Sequence, residues 1–292
     1  VNPSAQATLS RPAAPARFLY MPVGLWLDGV RHHEAEIVPL CGADEEQLGD
    51  PTRWASPAAR ASALIAATVA RIGSLVPASL DDVRELCVLD RDALLIALRQ
   101  AVFGDHIQAT LTCPRYECGR PVDLDFNLSD LPLPARDGES PFFSLTIGGR
   151  TLLCRLPNGG DQEAVAELAG TDPQRAECSL LERCAGLPEP PLTDDEASAL
   201  REELSRRDPQ LENELDAACP ECGHAFTVYF DIQDYLLQEL AEGRGRLYEQ
   251  VHTLAWYYHW SEAEILALPS QRRRTYLRLL ADVLAEADGA TV

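Results

Sequence analysis

The chain has 292 residues and a formal net charge of −21, so it repels nucleic acid and anionic lipid, and protein partners are expected instead. All 25 basic residues are arginine, which excludes a Walker A lysine, Schiff-base chemistry and Ser-Lys catalysis. No apolar run of about 18 residues offers a membrane span, and the length suits about two domains.

Val1 to Arg17 is rich in Pro and Ala and reads as a disordered tail. Phe18 to Leu27, the Asp28-Gly29 turn and His32 to Leu40 predict a hairpin. His32-His33-Glu34 looks like a fragment of a zinc-protease helix, but the second His at helical spacing is missing and the stretch sits on a strand. Cys41-Gly42-Ala43-Asp44 opens a loop. Ser56-Pro57 is an N-cap with Pro at the first helical position, and the helix is expected to run to about Ile72, ended by Gly73. Ser79 caps a short helix through Leu86, and Asp90 to Asp92 starts another with Leu94, Leu95, Leu98 and Val102 as its stripe. A cysteine knuckle, Cys113-Pro-Arg-Tyr-Glu-Cys118-Gly119, then feeds a strand in which apolar residues recur at every second position.

After a linker over 132–141 the order repeats. Phe142 to Ile147, Gly148-Gly149 and Thr151 to Leu156 form a second hairpin. Gly159-Gly160-Asp161 matches Gly42-Ala43-Asp44, and a helix carrying Cys178, Leu181 and Cys184 matches the earlier Ser62 helix. Leu192 to Asp195 matches Leu80 to Asp82, with Thr193 and Glu196 forming a capping box. Asp208-Pro209 is read as a further cap, and a second knuckle, Cys219-Pro-Glu-Cys222-Gly223, leads into a second alternating strand. A long helical pattern follows from Asp234 to His259, interrupted by Gly243 and Gly245. Ser261 with Glu264 caps a short helix, and Pro269-Ser270 caps the last one.

The expected fold is therefore α+β: an internally duplicated unit of β-hairpin, helices and zinc-ribbon-like knuckle, followed by a C-terminal helical region. The boundaries are a tail at 1–17, a first unit at 18–131, the linker at 132–141, a second unit at 142–234, the helical region at 235–287 and a tail at 288–292.

Nine cysteines could indicate secretion, but no cationic segment followed by an apolar core and a cleavage site opens the chain, so a cytoplasmic protein is expected. Cys113, Cys118, Cys219 and Cys222 supply four soft ligands for one structural Zn²⁺ per chain, one pair from each half. Disulfides and unmetallated turns are the alternatives, and His224 is a substitute ligand. Cys41, Cys87, Cys154, Cys178 and Cys184 lack such spacing and are expected to be buried apolar thiols. No nucleophile elbow, zinc-protease helix, phosphate loop or carboxylate pair with a His is recognisable, so no catalytic residue is assigned and the protein is not expected to be an enzyme. Trp256-Tyr257-Tyr258-His259-Trp260 is the densest aromatic run; five consecutive bulky side chains cannot all face one core, so a partner surface is placed at Trp256, Tyr257, Tyr258 and Trp260. Arg272 and Arg273 in the one basic cluster are added to it.

The Cys-Pro knuckles with their Phe-Asn/Asp-Leu/Ile-x-Asp strands, Cys154-Arg155-Leu156-Pro157 with Asp161, and Val251 through Trp260-Ser261 to Pro269 with Arg273 and Tyr276 resemble the T-even-phage-type baseplate hub assembly chaperone family. Members occur in contractile phage tails and phage-tail-like injection systems, and the resemblance covers about residues 21 to 285. It implies a non-enzymatic assembly factor that holds a hub, tail-tube or tape-measure protein. The rivals are a permanent baseplate component and a zinc-ribbon nucleic-acid binder.

Overall fold

The computed structural model describes residues 17–131, 139–187, 189–207 and 214–289, side chains through Glu286. Residues 1–16 and 290–292 of the expected tails, most of the linker and the Asp208-Pro209 cap lie outside the described residues, while Arg17 opens the first strand and 288–289 close the last helix. Helices and small antiparallel sheets are mixed, as an α+β reading requires. Among the described residues no helix is long and apolar enough to cross a membrane.

Strands β1 (Arg17–Leu27) and β2 (Val30–Ile37) form the first hairpin, and Met21, Val23, Leu25, Ala35 and Ile37 turn inward. The register of β1 shifts between Tyr20 and Leu25, where Gly24 takes φ 83°. That irregularity frees two amides from the ladder, and the buried Asp90 carboxylate accepts both, from Val23 N at 2.8 Å and Gly24 N at 2.7 Å.

Helix α1 (Gly42–Leu48) starts on Cys41, and α2 (Pro57–Thr68) on Ser56, whose Oγ accepts from Ala59 N. Helix α2 stops four residues before the expected Ile72. Val69–Ile72 is instead strand β3, paired with β2 on the far side from β1. Both ends of β3 are β-branched, which suits a half-buried pleat, and Arg71 meets Glu36 across the pair at 3.2 Å. Helices α3 (Leu80–Glu85) and α4 (Val88–Phe103) follow, with Ser79 and Asp82 in a reciprocal capping box. Leu94, Leu95 and Leu98 are almost fully buried at the centre of the main core, and each contributes about 1.5–3 kcal/mol by burial.

Each knuckle is the turn of a hairpin, with a strand before it as well as after. Strands β4 (His106–Thr112) and β5 (Pro121–Asn127) flank the first; β8 (Glu214–Ala218) and β9 (Ala225–Tyr229) flank the second. Between them lie the hairpin β6 (Phe142–Ile147) and β7 (Arg150–Arg155), then α5 (Gly159–Thr171), α6 (Pro173–Cys184) and α7 (Asp194–Arg207). Thr193 and Glu196 form the expected box at α7.

Helix α8 (Ile232–Tyr258) continues through Gly243 and Gly245. Its first half, with Leu236, Leu237 and Leu240, joins the main core; Leu247, Val251 and Leu254 pack with Ile265 in a separate small cluster. His259 ends it in the left-handed conformation at φ 56°. Helices α9 (Glu262–Leu266) and α10 (Ser270–Gly289) complete the chain.

Candidate metal centre and aromatic surface

The two knuckles meet although about a hundred positions separate them in sequence. Cys113 Sγ lies 3.8 Å from Cys222 Sγ, and Cys118 Sγ lies 3.8 Å from Cys219 Sγ. All four sulfurs fall within 4.8 Å of one another, and they form the one such cluster found among the described residues. A disulfide needs about 2.05 Å, so these are four free thiols. Four thiolates at about 2.3 Å from a tetrahedral metal have edges of about 3.8 Å, so both measured pairs fit that geometry.

The backbone around the sulfurs is built alike in the two turns. Cys113 N donates to Arg120 O at 2.8 Å and Cys219 N to His224 O at 2.9 Å. Gly119 N donates to Arg115 O, and Gly223 N to Cys219 O. Gly119 and Gly223 take φ 55° and 68°, where a side chain would be strained. Arg115 O thus does in the first turn what Cys219 O does in the second. The two extra residues of the first knuckle are absorbed ahead of the turn, leaving the sulfur positions intact. Tyr116, within that longer loop, is fully exposed.

Backbone amides also point at sulfur: Arg115 N–H at Cys113, Arg120 N–H at Cys118, and Glu221 and Cys222 N–H at Cys219. Burial pushes the Cys113 thiol up to about 12. Burial raises Cys219 too, but the amides of Cys222 and Glu221, together with the neighbouring Cys222 and Cys118 thiols, outweigh it and bring that thiol down to about 7. Oriented N–H donors of this kind stabilise thiolate, the form a metal takes. His224 contributes its carbonyl to the turn while its ring stacks on Phe226.

Of the other cysteines, Cys87, Cys154 and Cys184 are buried as expected. Cys41 is half-buried at the start of α1 and Cys178 is exposed on α6, which corrects the expectation for both.

His259 reverses the chain and so divides the aromatic run. Trp256 is 69% exposed and Tyr257 is 47% exposed. Tyr258 and Trp260 turn inward: their rings stack at 5.0 Å, and Tyr276 packs edge-on against Trp260 at 4.9 Å. Arg272 is exposed. Arg273, expected at a partner surface, is fully buried and donates to Gln250 Oε1, Leu268 O and Glu45 Oε2. Its guanidinium is an internal tie, because it is fully buried and its acceptors come from α1, from α8 and from the turn between α9 and α10.

A second buried charge cluster ties the second hairpin to α5. Asp161 is fully buried and accepts from Arg155 through both oxygens, from Arg183 Nε at 2.9 Å and from Asn158 N at 3.0 Å.

Residues 60–175 match the family described as T4 bacteriophage base plate protein. No curated protein and no solved structure matches the chain. The family match bears out the resemblance to T4-type phage baseplate proteins. It contains Cys113, Cys118, Arg155 and Asp161, and it ends before the second knuckle and the aromatic run.

Proposed function

We propose that the protein is a non-enzymatic assembly chaperone or adaptor for the baseplate hub of a contractile phage tail or phage-tail-like injection system. The observation that carries this reading is the baseplate-family match over residues 60–175. The chaperone role adds to it the wider sequence resemblance, the acidic surface and the outward pair Trp256 and Tyr257. A hub, tail-tube or tape-measure protein exposes apolar or strand-edge surface before it polymerises. An acidic folded adaptor in the cytoplasm of the producing bacterium covers that surface and stays soluble, with aromatic anchors supplying the contact energy.

One structural Zn²⁺ held by Cys113, Cys118, Cys219 and Cys222 joins the two hairpins into a zinc ribbon, and its role is folding rather than catalysis, since four thiolates leave no open position. The chain is read as an internal duplication. Hairpin, Asp-capped helix, Pro-started helix and knuckle hairpin recur in the same order, with Asp44 and Asp161 each at the third helical position and Pro57 and Pro173 each at the first.

Native mass spectrometry of protein captured from its natural producer, alongside purified particles, tests the reading. One zinc per chain, a bound hub, tube or tape-measure protein, and absence from finished particles are expected. Presence in finished particles at fixed stoichiometry would make it a permanent baseplate component instead.

A further inference from the structure

Ser79-x-x-Asp82-Val83-x-x-Leu86-Cys87 is followed by Arg91, and Ser261-x-x-Glu264-Ile265-x-x-Leu268-Pro269 by Arg273, each arginine twelve positions after its cap. Both stretches fold as a short helix closed by a reciprocal box, then a longer helix whose first turn buries the arginine. Val83 and Ile265, at the same place in the pattern, are both fully buried. Arg91 and Arg273 are 1% and 0% exposed.

Each stretch holds the start of a different Asp-capped helix, and four of the contacts it makes there correspond; other donations, of Arg91 to Ala58 O and of Arg273 to Gln250 Oε1, differ. Gly159 N donates to Leu86 O, and Gly42 N to Leu268 O. Asn158 bridges to Cys87, and Cys41 to Pro269, both antiparallel. Arg91 Nε donates to Gln162 Oε1, and Arg273 Nη2 to Glu45 Oε2, from the fourth residue of each helix. A Cβ on Gly159 would sit 2.3 Å from Arg91 Nη1, and one on Gly42 would sit 2.9 Å from Arg273 Nη1. Each helix therefore opens on a glycine because an arginine lies beneath it.

We infer that α9–α10 is a second copy of the α3–α4 device, and that the chain is closed by two crossed latches. The first half's latch, α3–α4, grips α5 of the second half. The C-terminal latch, α9–α10, reaches back to grip α1 of the first. The C-terminal helical region is then the strap that completes the second half rather than an appendage. This inference stands apart from the baseplate reading, since it rests on intrachain contacts alone.

Hydrogen exchange on the full-length protein tests it. Arg273→Met raises exchange about tenfold in 42–48 and 262–273 and leaves 159–171 within about twofold. Arg91→Met raises it in 159–171 and 80–86 and leaves 42–48 unchanged. Gly42→Ala and Gly159→Ala approach the same contacts from the helix side. They are expected to loosen 262–273 and 80–91 respectively, and they keep the test open where an arginine variant does not fold. Deprotection confined to the half that carries the substitution, or equal in both halves, overturns the inference.

Discussion

Cys118 Sγ sits 3.8 Å from Cys219 Sγ across two hairpins that share no strand, at a sequence separation of 101. The buried Val122 and half-buried Phe226 are the apolar side chains clustered with the four thiols, too small a core to hold two two-stranded ribbons together alone.

A metal held by the four thiols would therefore decide whether this joint is ordered. If the four thiols hold zinc, as proposed, Cys219→Ser is expected to lose it and to lower the melting temperature by about 10 °C or more, because the folding energy of such a joint is largely site energy. A strong chelator added to the native protein should give the same shift. Cys178→Ser, on the exposed face of α6, serves as the control and should change neither. Metal analysis with a thermal melt reads both quantities. Full zinc content in Cys219→Ser would remove that thiol from the site.

Asp161 carries the second test. Burial alone would raise its carboxyl, but Arg155, the Asn158 amide and Arg183 outweigh burial and hold it below the usual carboxylate range. A depressed folded value means stability that is complete above the unfolded value of about 3.9 and is lost as pH falls through the lower folded value. Asp161→Asn removes the carboxylate that both Arg155 and Arg183 donate to and is expected to cost about 3–5 kcal/mol at neutral pH. Urea unfolding at stepped pH should show the wild type losing stability below about pH 4, with the variant's curve flatter there.

Much of this architecture is legible before any coordinates. Ser56-Pro57, Ser79, Thr193 and Ser261 mark helix starts because side-chain caps are local chemistry. The cysteine pairs announce their own turns. Strand β3 is not legible, since Val69 and Ile72 extend the apolar face of α2 and only pairing with β2 makes them a strand. Strand β4 does carry a legible period, Ile107, Ala109 and Leu111 alternating with Gln108 and Thr110, whereas β8 is hidden because Ala217 and Ala218 give its alternation little contrast. The burial of Arg273 is invisible in a run of three arginines, where exposure is the ordinary expectation. One signal was available: the shared spacing from Ser79 to Arg91 and from Ser261 to Arg273.

Glu45 gives a pH dependence of opposite sign. Burial pushes its carboxyl up, and Arg273 offsets only part of the rise; Oε1 is buried without a hydrogen-bond partner. A raised folded value means that the stability it contributes is present below the unfolded value of about 4.3 and is lost as pH rises through the folded value. The C-terminal latch should therefore tighten on mild acidification. Glu45→Gln, which gives α1 the amide that α5 has at Gln162, should flatten that dependence. Exchange rates in 262–273 across the range from about pH 4 to 7, corrected for intrinsic rates, measure it. A wild-type latch that loosens as pH falls through this range would reverse the sign and defeat the argument.

The divided aromatic run separates binding from stability. Trp256 lies on the outer face of α8, with the His252 ring stacked 6.4 Å away, and it takes no part in the small cluster around Leu254. Trp256→Ala is therefore expected to change unfolding free energy by no more than about 0.5 kcal/mol. If Trp256 and Tyr257 anchor the tail-protein partner, the same substitution should weaken its capture at least about tenfold, as loss of an aromatic anchor does. Trp260→Ala should behave the other way. Its ring packs between Tyr258 and Tyr276, so truncation is expected to cost about 3–5 kcal/mol and to affect capture only through lost fold. Pull-down of tail proteins and chemical denaturation, run on both variants, decide the matter. Undiminished capture by Trp256→Ala at full stability would place the partner surface elsewhere on the molecule.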